Sequence, residues 1–524
     1  MLLDIVSNLQ TYKYFLYFLV AIPLVLWAKE KYKVIRYHRK CRQYGVAPVK
    51  IDNDGLLGFS RLFAKLDDAK NHRTMEGFED DIKRMGRTYN MKSVMGDVIV
   101  TTQPENAKFI LSTNHNDFSL GIRSDQLASF IGNGIFTQNG HNWKHSRSIL
   151  KPQFARSQIT DTRFFEKNAD NLINVMKEQR GNVFDVMHYF QCMTLDFAVE
   201  FLTGERLGCI LGNNLPLNND YNNPTPGDLQ NALGFASEFV IKRAIAVGFY
   251  WLFTSERFNN SVTIAQRFFD VFVKKARKVT SIRSEPQDEM NKERFIFINE
   301  LSKQVQDDAD LRNQCMNVLL AGRDTTASLL SLCFHYLSRN PDIYKRLREE
   351  INETYGDSKE GLTSDNLRAC KYLKAVVNET LRIASTVPFN LRSPEKDVIL
   401  PTGGGSDGTE PMLVEKGTHV LILTYALHRD EGYWGQDAKM FNPERWMESS
   451  QPAADPWCFL PFSGGPRICI GQQLALNEVY YTIARVCQSF STVGTPQDEK
   501  SKELQFNAGV ALFPYGGVPV YANE

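Results

Sequence analysis

The sequence lacks the cysteine patterns of a disulfide-stabilised or zinc-binding protein. Its nine cysteines are dispersed along 524 residues, and no two of them form a C-x-x-C pair. An odd, scattered set of this kind excludes a disulfide framework and a zinc finger. It also favours a reducing compartment over secretion.

The chain also lacks an excess of charge and a phosphate-binding glycine motif. Lysine and arginine number 61 against 60 aspartates and glutamates, so no nucleic-acid partner is indicated. The triplet at residues 403–405 is followed by no Lys-Ser/Thr and opens no G-x-G-x-x-G helix, which favours a surface turn over a phosphate cradle. No flavin or nicotinamide site is evident, so any redox chemistry would require electrons from another protein.

One cysteine stands in a distinctive loop. Cys469 lies in FSGGPRICIG, residues 462–471, and this fits F-x-x-G-x-R-x-C-x-G, a pattern expected by chance on the order of 10^-4 times in such a chain. Its glycines and Pro466 allow a bent main chain that keeps the thiol accessible. The run after residue 471 reads as a helix, which predicts Cys469 at its positive end, where a thiolate is stabilised. The alternative, a buried structural thiol, is disfavoured by the rarity of the pattern.

A second motif, AGRDTT at residues 321–326, interrupts an apolar helical run. Gly322 lowers the helix propensity, and the hydroxyls of Thr325 and Thr326 can bond back to helix carbonyls and distort the hydrogen-bond ladder. A carboxylate beside an alcohol suits proton transfer, so Asp324 and Thr325 are candidate catalytic residues. The alternative is a polar stripe where the helix crosses another element.

Together these motifs resemble those of the cytochrome P-450 monooxygenases, and the resemblance runs from about Lys50 to the C-terminus. It implies heme b (iron protoporphyrin IX) as cofactor, with Cys469 as the axial iron ligand. It implies that Asp324 and Thr325 deliver protons during dioxygen activation. It also assigns four residues to the haem propionates: Trp143 and Arg147, which share a helix face at i and i+4, Arg392 and Arg467. Core packing is the alternative for Trp143.

The expected fold is mainly α, the cytochrome P-450 fold with minor β-sheets. Helical signals dominate after residue 50, and strand-like segments are short: DVIVTT, THVLILTY and GVPVY. Glu379 and Arg382 lie at i and i+3, and the resemblance adds Arg445 to complete a structural ion cluster behind the cysteine loop. A buried pair of this kind, broken on one side, costs about 3–5 kcal/mol.

The closer wording of WKHSRSILKPQFA, LLAGRDTTA and FSGGPRICIGQQLAL is similar to the fungal branch that hydroxylates n-alkanes and fatty acids at the terminal carbon. The resemblance implies O2, a hydrophobic small-molecule substrate and a separate NADPH-cytochrome P-450 reductase. It places the substrate walls at residues 118–136, 387–390 and 508–512. The alternatives are a sterol or secondary metabolite as substrate, a haem-thiolate isomerase or dehydratase, and a non-enzymatic membrane-anchored haem-binding protein.

The N-terminus carries an apolar run, YFLYFLVAIPLVLWA, followed by seven Lys or Arg between Lys29 and Arg42. This charge order predicts a membrane anchor with the following chain in the cytosol, and not a cleaved signal peptide. A buried core helix is the alternative. We expect a lumenal segment at 1–13, an anchor helix at 14–28 in contact with membrane lipid, a basic linker at 29–50 and the haem domain at 51–524. The resemblance implies the endoplasmic reticulum membrane.

Overall fold

The computed structural model describes residues 2–52, 59–92, 96–155, 163–213, 215–217, 220, 222–245, 247–282, 295–448 and 455–524. Within these ranges the protein is mainly helical with small sheets, which confirms the predicted fold class.

The helices differ widely in length, from four residues to more than forty. They are α1 (Leu2–Tyr44), α2 (Phe59–Lys70), α3 (Thr74–Met85), α4 (Pro104–Lys108), α5 (Arg123–Ile131), α6 (Gly140–Leu150), α7 (Arg163–Glu178), α8 (Val186–Thr203), α9 (Pro226–Ile245), α10 (Glu256–Ile282), α11 (Phe297–Ser302), α12 (Asp308–Arg339), α13 (Pro341–Tyr355), α14 (Ser364–Ala369), α15 (Lys371–Ile383), α16 (Thr424–Leu427), α17 (Glu431–Trp434), α18 (Arg445–Glu448), α19 (Gln472–Ser489) and α20 (Gln497–Lys500).

The strands are short and fall into several small sheets. They are β1 (Ile51–Asp52), β2 (Thr88–Met91), β3 (Val98–Thr101), β4 (Phe118–Ser119), β5 (Phe184–Asp185), β6 (Asn390–Pro394), β7 (Val398–Gly404), β8 (Glu410–Val414), β9 (His419–Ile422), β10 (Thr492–Gly494), β11 (Phe506–Ala508), β12 (Leu512–Pro514) and β13 (Pro519–Asn523). The largest sheet has the order β1-β2-β3-β9-β6-β4, β5 joins β10 and β13, and β7–β8 and β11–β12 form two-stranded sheets. The three predicted strand segments correspond to β3, β9 and β13.

The long helix α12 crosses the core and brings the AGRDTT motif into it. The Asp307 side chain caps the helix by accepting the N–H of Asp310, and most residues of α12 are buried. It packs against α8, α10, α15 and α19. A helix that is buried on every side can hold polar side chains only where they find hydrogen-bond partners. We therefore expect such partners for the polar side chains at 323–326.

The segment after residue 363 forms two helices, α14 and α15, and not one. The Thr363 side chain caps α14 by accepting the N–H of Asn366, and the chain leaves the helical conformation at Cys370 before α15 begins. The Glu350 carboxylate of α13 accepts the N–H groups of Tyr372 and Leu373, at 3.0 and 3.2 Å. A carboxylate from another helix therefore caps α15, and a contact of this kind carries no local sequence signal.

The second half of α1 packs against the sheets. Lys33 pairs with Asp97 at 2.8 Å and Lys40 with Glu415 at 3.0 Å, while the Tyr37 hydroxyl donates to the Leu413 carbonyl at 3.0 Å. The first part of the expected linker is therefore helical and ion-paired to the domain.

No helix in the described part of the chain is long and apolar enough to cross a membrane. The anchor expected at 14–28 is therefore not confirmed. Of that segment, the side chains at 14–20, 22 and 23 lie outside the described part, and those of Leu24 to Ala28 are exposed.

Candidate active site

The cysteine loop is folded tightly by its own backbone. The Cys469 N–H donates to the Phe462 carbonyl at 3.1 Å, and the Ile468 N–H donates to the Gly465 carbonyl at 3.0 Å. Gly465 has φ +66°, and a Cβ there would collide with the Leu111 carbonyl oxygen. The second glycine of the motif is thus required by a positive φ and by close approach to the π-helical turn at residues 109–113.

Cys469 is exposed, whereas the other eight cysteines are buried. Its pKa is nevertheless raised, first by the protein atoms that crowd around it, so the sulfur lies in a recess and not on an open surface. The N–H groups of Gly471 and Gln472 and the positive charge of Arg147 oppose that rise in pKa. Those two N–H groups stand at the start of α19, and the predicted placement of Cys469 at the positive end of a helix is confirmed.

Four arginines gather beside this recess. Burial, then the charges of Arg123 and Arg467, lower the pKa of Arg392 to about 9. Burial, then the charges of Arg123 and Arg147, lower the pKa of Arg467 to about 10. Within the described residues none of the four has an acidic partner, so they form a cluster of mutually repelling cations.

Trp143 lies inside this cluster. Its ring centroid is 4.1 Å from the Arg467 guanidinium carbon and 5.9 Å from that of Arg147, and its side chain is buried. Arg147 donates to the Ile468 carbonyl at 3.0 Å, which joins α6 to the cysteine loop. The structure therefore brings Trp143, Arg147, Arg392 and Arg467 together, as their shared assignment to the propionates requires.

The donor set fits haem. An accessible thiol at a helix N-terminus suits an iron ligand, and cations without protein carboxylates suit the two propionates. Arg123, at the start of α5, belongs to the cluster but was missed by the sequence reasoning. Its neighbours in the chain form no recognisable motif, and only the fold brings it to Arg392 and Arg467.

In the AGRDTT motif the two candidate residues make different contacts. The Thr325 hydroxyl donates to the Ala321 carbonyl at 2.6 Å, which confirms the predicted back-bonding. The Thr326 hydroxyl is buried and has no hydrogen-bond partner in the described part of the chain, so the back-bonding predicted for Thr326 is wrong. Outside the neighbouring backbone of its own helix, the only described atom within 4 Å of a Cβ placed at Gly322 would be Ala198 Cβ, at 4.0 Å, so the helix surface there is open.

Asp324 is almost fully buried, and both of its oxygens are engaged. Oδ1 accepts from Arg323 Nη1 at 2.9 Å, and Oδ2 accepts from the Ser237 hydroxyl of α9, also at 2.9 Å. The AGRDTT motif predicted a role for Asp324 together with Thr325 and none for Arg323, although Arg323 is the adjacent residue. The ion pair offsets part of the cost of burying this carboxylate, and the Ser237 contact links it to a second helix.

The predicted ion cluster behind the loop is confirmed. Arg382 and Glu379 are fully buried and joined by two hydrogen bonds of 2.8 Å. Arg445 Nε lies 3.4 Å from the same carboxylate, and Trp446 Nε1 donates to it at 2.9 Å. Arg382 also donates to the carbonyls of residues 428, 438 and 440, which fixes the segment that leads to the cysteine loop.

Comparison with known proteins agrees with this geometry. The family model described as Cytochrome P450 matches residues 63–518. The chain belongs to the cytochrome P450 family. It is 37% identical over 488 residues to Cytochrome P450 52A12 of Debaryomyces hansenii, covering 91% of this chain and 92% of the relative. It is 40% identical to Cytochrome P450 52A1 of Candida tropicalis, covering 83% and 80%, and 36% identical to Cytochrome P450 52A5 of Candida maltosa, covering 98% of both.

Membership of the cytochrome P450 family confirms the resemblance that the sequence motifs indicated. This cytochrome P450 is a haem-binding monooxygenase, and similarity to fungal members extends over most of its length. The individual assignments of Cys469, Asp324, Thr325 and the propionate partners remain predictions, which the observed geometry supports.

Proposed function

We propose that this cytochrome P450 inserts one oxygen atom of O2 into a terminal C–H bond of n-alkanes or fatty acids. Electrons come from a separate NADPH-cytochrome P450 reductase. The observation that carries the proposal is the accessible Cys469 thiol beside arginines that have no acidic partner in the described chain. The substrate class rests on the similarity to the fungal 52A proteins and on the likeness of the three motif segments to the alkane- and fatty-acid-hydroxylating branch.

Haem, when bound, supplies the oxidising chemistry, and the protein supplies ligation, protons and substrate position. Cys469 ligates the iron as a thiolate, with the N–H groups at the start of α19 stabilising its charge. Trp143, Arg147, Arg392 and Arg467 hold the propionates by charge-assisted hydrogen bonds, and Arg123 joins them.

Proton delivery is assigned to Asp324 and Thr325. Asp324 contacts the Ser237 hydroxyl on one side and Arg323 on the other, so a proton that enters along α9 can reach the carboxylate through one hydroxyl. The Thr325 hydroxyl donates a hydrogen bond to the Ala321 carbonyl. The lone pairs of the Thr325 oxygen are therefore free to accept a hydrogen bond. The two residues therefore supply adjacent holding points for a proton.

The protein is further proposed to lie at the endoplasmic reticulum membrane, held by its N-terminal helix, with the haem domain in the cytosol. The exposed apolar side chains of Leu24, Val25 and Trp27, followed by the basic residues from Lys29, support this placement. The reductase is expected to dock on the cysteine side of the haem.

The test is reconstitution of the full chain with reductase, NADPH and a mixture of alkanes, fatty acids and sterols. We expect terminal alcohols from the alkanes or fatty acids, identified by mass spectrometry. Sterol products would overturn the substrate class. Turnover without NADPH would indicate an isomerase or dehydratase, and haem binding without NADPH use or product would indicate a binding protein.

A further inference from the structure

Arg243 is a buried cation with no acidic partner in the described part of the chain. It lies near the C-terminal end of α9 and is 9% exposed. Its Nη1 donates to the Ser129 hydroxyl of α5 at 2.7 Å, and its guanidinium carbon lies 5.2 Å from the Tyr250 ring centroid and 5.6 Å from that of Phe258. Its Nε is buried and has no hydrogen-bond partner among the described residues.

This environment is unfavourable for an isolated charge. Burial lowers the pKa of Arg243, and no nearby carboxylate opposes that shift. One hydroxyl and two aromatic faces offset part of the desolvation cost, but they leave part of the guanidinium fork unused. That fork matches a carboxylate in shape and charge. A buried arginine with free donors therefore suits an anionic group that arrives with a ligand.

The position of Arg243 relates it to the active site along two helices. Ser237, which contacts Asp324, lies six residues earlier on α9, about 9 Å along the helix axis. Arg123 of the cation cluster lies six residues before Ser129 on α5, again about 9 Å. Arg243 therefore lies farther along α9 than the residue that contacts Asp324. Its partner Ser129 lies farther along α5 than Arg123 of the cation cluster.

Aromatic side chains surround this position. Phe258 stacks on Phe239 at a centroid distance of 4.9 Å and meets Phe130 edge-on at 6.4 Å. Phe130 and Phe258 are buried, and Phe239 is half-buried. Apolar side chains beside a single cation suit an apolar chain that ends in one negative group.

We propose that Arg243 binds the carboxylate of a long-chain fatty acid and so makes fatty acids the preferred substrates over n-alkanes. This inference rests on the proposed function and selects between its two substrate classes. The apolar chain runs along the aromatic side chains, and its far end is directed toward Asp324 and Thr325. An alkane lacks the group that would pair with Arg243 and leaves that cation buried without an anionic partner.

The test compares hexadecanoic acid with hexadecane, which have equal carbon number and differ at one end. Holoenzyme variants Arg243→Gln and Arg243→Lys are titrated with each compound, and the dissociation constants are read from the haem spectrum. The ratio compared is the dissociation constant for hexadecanoic acid divided by that for hexadecane. We expect Arg243→Gln to raise this ratio by about tenfold to a hundredfold, the range of a lost charge-assisted hydrogen bond. Arg243→Lys keeps the charge, and its ratio is expected to lie between those of the wild type and Arg243→Gln.

Arg257→Gln is the matched control, because Arg257 faces the Phe235 ring at 4.1 Å but is exposed on α10. Its ratio is expected to equal that of the wild type. Arg243→Met serves as a second variant if Arg243→Gln folds poorly, since it removes the buried charge and keeps most of the volume. A ratio within twofold of wild type in the folded variant, or equal weakening of both compounds, would overturn the carboxylate assignment. Absence of hydroxylated products from the wild type would instead refute the proposed function, and the binding ratio would still test Arg243.

Discussion

The ion cluster around Glu379 gives the sharpest prediction about stability. The perturbation is Glu379→Gln, which removes one charge and preserves the shape of the side chain. In the folded protein Oε1 accepts from Arg382 Nη2, Arg445 Nε and the Asn442 N–H, while Oε2 accepts from Arg382 Nε and Trp446 Nε1. Whichever oxygen becomes an amide NH2 group therefore faces at least two N–H donors.

The magnitude follows from burial. Glu379 and Arg382 side chains are 0% exposed and Arg445 is 9% exposed, so the cations left behind cannot be hydrated. Breaking one side of a buried ion pair costs about 3–5 kcal/mol. The loss should appear as lower stability and as faster loss of haem, because Arg382 holds the carbonyls of the segment before the cysteine loop.

The assay is pulse proteolysis of the haem-loaded protein in urea, with Soret absorbance recorded in parallel. Glu300→Gln is the control, because Glu300 pairs with Lys303 at the same spacing and the same 2.8 Å but with side chains 37% and 48% exposed. We expect the control to lose less than about 1 kcal/mol. If Glu379→Gln is no less stable than the control, the cluster does not lock the scaffold.

Three further predictions concern the site and its surroundings. Cys469→Ala should abolish the thiolate-type Soret band of the reduced carbon-monoxide complex, and an unchanged spectrum would contradict its role as ligand. Thr325→Ala should lose the bond to Ala321 and uncouple NADPH consumption from product, with more peroxide formed; tight coupling would argue against proton delivery. Burial raises the pKa of Asp196 from 3.8 to about 6, so the folded protein binds more protons than the unfolded chain in that interval, and this residue's contribution to stability falls as pH rises from 4 to 6. The unfolding free energy of the wild type minus that of Asp196→Asn, measured by urea unfolding at several pH values, should therefore decrease across that window, and a constant difference would refute the assignment.

The features that depend on neighbouring residues in the chain could be predicted from the sequence. The cysteine loop and its helix are contiguous, and Glu379 and Arg382 are three residues apart on one helix. These placements follow from helix geometry and glycine conformations alone.

Contacts between segments that are distant in the chain could not be predicted from the sequence. Arg123 joins the cation cluster only because the fold brings α5 to the loop and to β6. The Glu350 carboxylate that caps α15 comes from another helix, and no local pattern marks it. Arg323 is a different case, because its side-chain direction toward Asp324 depends on the packing around α12.

The proposed binding of haem by the arginine cluster would make the cofactor a participant in the folding equilibrium. Four like charges held beside one recess raise the free energy of the folded chain, and an anionic ligand that binds only the folded form lowers it by mass action. Conformational stability is then a function of haem concentration, and a shortage of haem shifts the balance toward the unfolded chain. The arginines would therefore couple the amount of folded protein to haem supply before any substrate is met.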